Sequence, residues 1–120
     1  MDDIKSEAKG IEQDVVRWYR DLHRIPELHD QLPMTTAYVR SVLEELGIPY
    51  NVYSNSGIRA VIECCEGDKA IAFRADMDAL PVTEETGLPF ESELKGCMHA
   101  CGHDAHTAIL LGLARVLCGM

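Results

Sequence analysis

The segment His99-Ala100-Cys101-Gly102-His103-Asp104-Ala105-His106 puts three histidines, one cysteine and one aspartate within eight residues. Imidazole nitrogen and thiolate sulfur are good ligands for zinc and neighbouring divalent metals. Cys101 and His103 are separated only by Gly102. An extended or looping backbone can turn both toward one ion, and the glycine lets the chain come close to it. An apolar helix follows, and the positive end of its dipole suits a metal-binding sulfur at Cys101. Asp104 is placed to cap that helix. His106 lies within its first turn, able to point back toward an ion or to support a ligand from behind. The plain alternative is a loop with helix-capping polar residues, and the density of donors favours metal.

A second group is Arg74-Ala75-Asp76-Met77-Asp78-Ala79-Leu80-Pro81. Two carboxylates two residues apart project to the same side if a strand persists through them. They follow an apolar run, at the kind of strand end where open α/β sheets place their sites. A carboxylate here either binds metal or orients a metal-ligating histidine, and Arg74 is its candidate ion-pair partner. A capped strand end with an ordinary ion pair is an equal reading of these residues alone. A third group, Asp21-Leu22-His23-Arg24-Ile25-Pro26-Glu27-Leu28, reads as a helix end: His23 and Arg24 suit the negative dipole end and Pro26 stops the helix. No catalytic role follows from that, and His29 reads as a solvated loop residue.

The elements that must position these groups follow from periodicity. Ile11, Val15, Trp18, Tyr19 and Leu22 predict a first helix over residues 6–25. Val39, Val42, Leu43 and Leu46 predict a second over 35–46, with Gly47 as its C-terminal cap. Residues 50–53, 58–64 and 70–75 read as strands, the last two pairing as a hairpin around Glu66-Gly67-Asp68-Lys69. Ala70-Ile71-Ala72-Phe73 reads as a strand covered on both faces. Residues 80–98, with Pro81, Gly87, Pro89 and Gly96, form a long irregular loop of a length often tied to function. Residues 104–117 form a last helix, apolar almost all round, whose covering layers are not evident in the sequence.

The chain has 120 residues, 47% hydrophobic and 26% charged, with a formal net charge of −9. That suits one domain or part of one and is too apolar for a disordered chain. The negative charge disfavours nucleic acid and anionic membrane surfaces as partners. No secretory leader or membrane span is visible, so a cytoplasmic location is expected. Five cysteines, an odd number, argue for reduced thiols; Cys64 and Cys65 read as ordinary strand residues, whereas Cys97 and Cys101 flank the histidine cluster.

Taken in order, Asp21–Leu28, Arg74–Pro81 and Met98–Ala114 resemble the motifs DLHxxPEL, RADMDALP and MHACGHDAHTAxLLGxA of the amidohydrolase branch of the M20 metallopeptidase family. That branch includes hippurate hydrolases, N-acyl-amino-acid deacylases and auxin-conjugate hydrolases. The resemblance implies an α/β fold, with residues 1–120 forming the N-terminal part of an α/β/α zinc-peptidase-like catalytic domain, truncated before a dimerisation domain. It implies that Cys101 and His103 are two ligands of a centre holding two divalent ions, for which Mn, Zn, Ni and Co are all candidates. It implies that Asp78 is the catalytic-site aspartate that orients a metal ligand; Asp76 stands where related peptidases carry a ligand histidine. Residues 29–33 depart from the family pattern as loop variation.

The expected reaction is metal-assisted hydrolysis of the amide bond of an N-acyl amino acid, with a carboxylate base. The base and the remaining ligands would lie beyond Met120, so this chain alone is expected to be inactive and the full-length form to be a homo-oligomer. Two alternatives remain: a thiol hydrolase with Cys101 as nucleophile, and a non-catalytic remnant that binds metal weakly or contributes to an interface.

Overall fold

A computed structural model describes residues 3–54, 56–63 and 66–120. Its elements are the helices α1 (Ile4–Gly10), α2 (Glu12–Arg24) and α3 (Pro33–Glu45), the strands β1 (Tyr50–Tyr53) and β2 (Gly57–Ala60), and the helix α4 (His103–Cys118). The expectations for Cys64 and Cys65 lie outside the described residues.

The single helix expected over 6–25 is two helices. Asp3 starts α1 early, its side chain accepting from the Lys5 N–H at 3.1 Å. Gly10, a poor helix former, precedes the break at Ile11, whose φ of −107° and ψ of 9° cap both helices. α1 buries no residue, whereas α2 buries Trp18, Leu22 and His23. Pro26 follows the end of α2, as the sequence predicts.

α3 starts two residues earlier than expected, on Pro33, whose fixed φ suits the first helical position. The buried Glu27 carboxylate accepts from the Met34 and Thr35 N–H groups at 3.1 and 2.6 Å. A side chain from the preceding loop thus takes the place of an ordinary cap. At the other end Gly47 has φ +72°; its N–H donates to Glu44 O at 3.1 Å and the Ile48 N–H to Leu43 O at 2.9 Å. That is a Schellman ending on the expected glycine.

The hairpin differs from expectation. β1 pairs with β2, antiparallel, from Tyr50 opposite Ala60 to Tyr53 opposite Gly57. Residues 70–75 form no strand: Ile71 is 84% exposed and Phe73 56%. An apolar run signals a segment that can be covered, but a strand needs a hydrogen-bonded neighbour, and none of the described residues supplies one.

The core lies between α2 and α4 and is closed by α3. Trp18, Leu22, Val39, Val42, Leu43, Ile48, Ala108 and Leu111 form it. Gly112 permits close contact: a Cβ there would stand 2.8 Å from Val15 Cγ2. The opposite side of α4 is less covered, with Ile109 61% exposed, so this apolar helix is buried on one face only. No helix among the described residues is long and apolar enough to cross a membrane.

Candidate metal centre

The loop 80–98 is irregular, as expected, but its ends are joined. Leu80 and Met98 exchange backbone hydrogen bonds of 2.9 and 3.0 Å as an isolated antiparallel bridge. The bridge brings the residues after Arg74 beside those before α4. The Ala79 N–H donates to Glu27 O at 2.7 Å, which anchors the same place to the end of the first motif. Thr107 Oγ1 in α4 donates to Asp76 O at 3.1 Å. Three segments far apart in sequence therefore meet at one end of the core.

His103 opens α4. Its Nδ1 lies 2.8 Å from Asp78 O and 3.0 Å from Asp78 Oδ1. Both partners are acceptors, so Nδ1 carries a hydrogen, and in the neutral ring Nε2 then presents a lone pair. This is the arrangement by which a carboxylate orients a metal-ligating imidazole. His103 is half-buried and Cys101 is an exposed free thiol. Gly102 has φ +128°, a conformation that side-chain-bearing residues rarely adopt, and it forms the turn between them.

Asp76 and Asp78 part company. Asp76 pairs with Arg74 at 2.6 Å, while Asp78 turns to His103. Without a persistent strand the two carboxylates have no shared face. His106 is exposed, its ring 6.1 Å from that of His103. His99 is buried with neither ring nitrogen hydrogen-bonded, and burial holds its pKa below the usual imidazole value. Among the described residues, no three or more His, Cys, Asp or Glu side chains are gathered closely enough to hold an ion.

Asp104 does not cap α4. The N-cap is Gly102, which has no side chain to offer, and Asp104 lies inside the first turn. It is buried and holds His23 instead: His23 Nδ1 is 2.7 Å from Asp104 Oδ2, and His23 Nε2 is 3.0 Å from both Glu84 carboxylate oxygens. Burial opposes charge on this ring, but the hydrogen bonds to Glu84 and Asp104 overcome it and raise its pKa. For Glu84, burial is likewise outweighed by hydrogen bonds from Thr86, His23 and the Ser92 N–H, and its pKa is lowered. The sequence alone marks His23 as a helix-end residue. The available signal was its place one residue past Leu22 and four past Tyr19, beside the buried stripe of α2.

Residues 72–120 match the model of peptidase family M20/M25/M40. The N-acetyl-L-cysteine deacetylase of Bacillus subtilis is 46% identical over 108 residues, covering 89% of this chain and 26% of the relative. The N-acyl-L-amino acid amidohydrolase of Geobacillus stearothermophilus is 39% identical over 116 residues, covering 96% of this chain and 31% of the relative. The crystal structure of the Bacillus subtilis YXEP protein, described as a dinuclear metal binding peptidase from the M20 family, superimposes with a TM-score of 0.88 at 43% identity. That match covers 92% of this chain and 32% of the YXEP chain. This chain thus spans about three-tenths of the length of these relatives.

Proposed function

We propose, from the premise that this chain belongs to peptidase family M20/M25/M40, that it contributes part of a divalent-metal site for hydrolysing the amide bond of N-acyl amino acids. The observation that carries the reading is the His103–Asp78 contact. Asp78 fixes the imidazole by Nδ1 and leaves Nε2 to a metal, with the Cys101 thiol two residues away. The two donor types suit zinc, manganese, nickel or cobalt. Divalent ions held there would supply Lewis-acid polarisation of the amide carbonyl and a nucleophilic water at neutral pH.

In this reading the residues of the chain bind and orient. Cys101 and His103 are the two ligands, Asp78 sets the direction of His103, and Asp76 pairs with Arg74. The unpartnered ring nitrogens of His99 fit a site completed by groups that this chain does not itself bring. Two donors are fewer than a closed metal site needs, so the remaining ligands and the carboxylate base come from outside the 120 residues, and the chain alone turns over no substrate. The complete protein is read as a cytoplasmic homo-oligomer acting on a small-molecule substrate.

The test is a chimera in which this chain replaces the segment it matches in the Bacillus subtilis N-acetyl-L-cysteine deacetylase. Deacetylation that a chelator abolishes and divalent metal restores is expected. Cys101→Ser and His103→Ala should each remove it. Full activity in either variant, or activity that resists the chelator but not a thiol alkylator, would contradict the assignment and favour a thiol hydrolase.

A further inference from the structure

Among the described residues, His23 is the one histidine with both ring nitrogens against carboxylates, and all three side chains are buried: 4% exposed for His23, 3% for Glu84 and 2% for Asp104. The three come from separate parts of the fold: the last turn of α2, the irregular loop, and the first turn of α4. Each carboxylate is also tied to its own segment. Glu84 accepts from the Ser92 N–H at 2.8 Å and from Thr86 Oγ1 at 2.5 Å, and Asp104 Oδ1 accepts from the Ala105 N–H at 2.9 Å. Tyr19, Phe90 and His99 close round the ring, with centroids 5.9, 5.6 and 6.5 Å away.

This ring has no free atom to offer a substrate or a metal. Its place explains its use. Asp104 follows His103 directly, so whatever fixes Asp104 also fixes the rotation of the first turn of α4. One residue of slip would swing His103 by about 100° round the helix axis, away from Asp78. That start has no side-chain cap; His103 and Thr107 tie it to Asp78 and Asp76, and the His23–Asp104 pair ties it to α2.

We infer that His23 is a positioning residue: by gripping Glu84 and Asp104 together, it locks the start of α4 so that Asp78 can hold His103 with Nε2 free. The inference rests on the reading of His103 as a ligand. A buried, hydrogen-bonded ion cluster is weak evidence for stability as such, and specificity of register is its better-attested use.

The experiment is ring nitrogen NMR on the metal-free, 15N-labelled full chain. In the wild type, His103 should show one tautomer, hydrogen on Nδ1, and His23 should show hydrogen on both nitrogens. In folded His23→Gln, the two His103 nitrogen shifts should move toward the averaged values of a free ring. Should that variant not fold, His23→Leu/Asp104→Leu removes the grip without leaving Asp104 as an unpaired buried charge, and the same averaging is expected. A folded variant with wild-type His103 shifts overturns the positioning role while leaving the ligand reading intact. A wild-type His103 already averaged, or with hydrogen on Nε2, overturns the ligand reading and this inference with it.

Discussion

Asp78 acts on His103 through one hydrogen-bonded ring nitrogen, and residues in that supporting position typically govern metal affinity by 10–100-fold. Asp78→Ala should weaken divalent-ion binding by roughly that factor, measured by titration, with the fold unchanged by circular dichroism. His23 gives a pH prediction. Its raised pKa means that its stabilising contribution is fully present below the ordinary imidazole value of 6.5 and is lost as pH rises through the raised value. The lowered pKa of Glu84 adds a contribution present above its ordinary 4.5 and lost as pH falls through the lowered value. Thermal unfolding followed against pH should therefore show a decline on the alkaline side that His23→Gln lacks. An equal decline in the variant would contradict it, since Tyr19 and His99 are the other titratable groups facing the ring. At this scale the cluster of donors around Cys101 and His103 was legible in the sequence, and the roles of Cys101, His103 and Asp78 were implied by the family resemblance; the structure adds the contact between Asp78 and His103. The His23–Glu84–Asp104 group was not legible, because its members stand 61 and 81 residues from His23 and no local pattern joins them.

Among the elements, α3 depends on a residue outside it. Glu27→Ala leaves the Thr35 N–H without its acceptor in a buried place and the Met34 N–H without its acceptor in a half-buried one, and should destabilise the fold by about 1–3 kcal/mol in chemical unfolding. Glu27→Gln keeps one oxygen and should lose less. The α2–α4 contact makes a second prediction. Gly112→Ala gains helix propensity of about 1 kcal/mol, but its Cβ would meet Val15 Cγ2, and overpacking of this kind loses about 1–3 kcal/mol. A net loss that shrinks in a Val15→Ala background is expected. Apolar periodicity marks α3 and α4 within one or two residues of their ends, and Gly47 is legible by its role at a helix end. The break at Ile11 was hidden because apolar spacing continues through it: Ile11 and Val15 keep the stripe although the backbone does not keep the helix. Strand pairing is not legible in the sequence, because an apolar run says what a segment can bury, whereas pairing depends on which neighbour is present.

Across the whole molecule, the first, second and third motifs converge only through tertiary contacts: Ala79 to Glu27, Leu80 to Met98, and Asp78 to His103. Their order was legible in the sequence; their meeting point was not, since it depends on the loop 80–98 closing on itself. The uncovered Ile71, Phe73 and Ile109 fit a chain that spans about three-tenths of its relatives, and in the proposed function the site is one side of a larger one. The chain by itself should release no amino acid from an N-acyl substrate even with added metal, measured by amine detection. The central claim, that Cys101 and His103 bind one ion together, is tested most directly by cobalt titration of the metal-free deacetylase chimera followed by absorption. The account predicts a thiolate-to-cobalt charge-transfer band that Cys101→Ser abolishes and His103→Ala weakens at least tenfold in affinity. A chimera with unaltered Cys101 and His103 that shows no such band at saturating cobalt, or a band unchanged by His103→Ala, would contradict it.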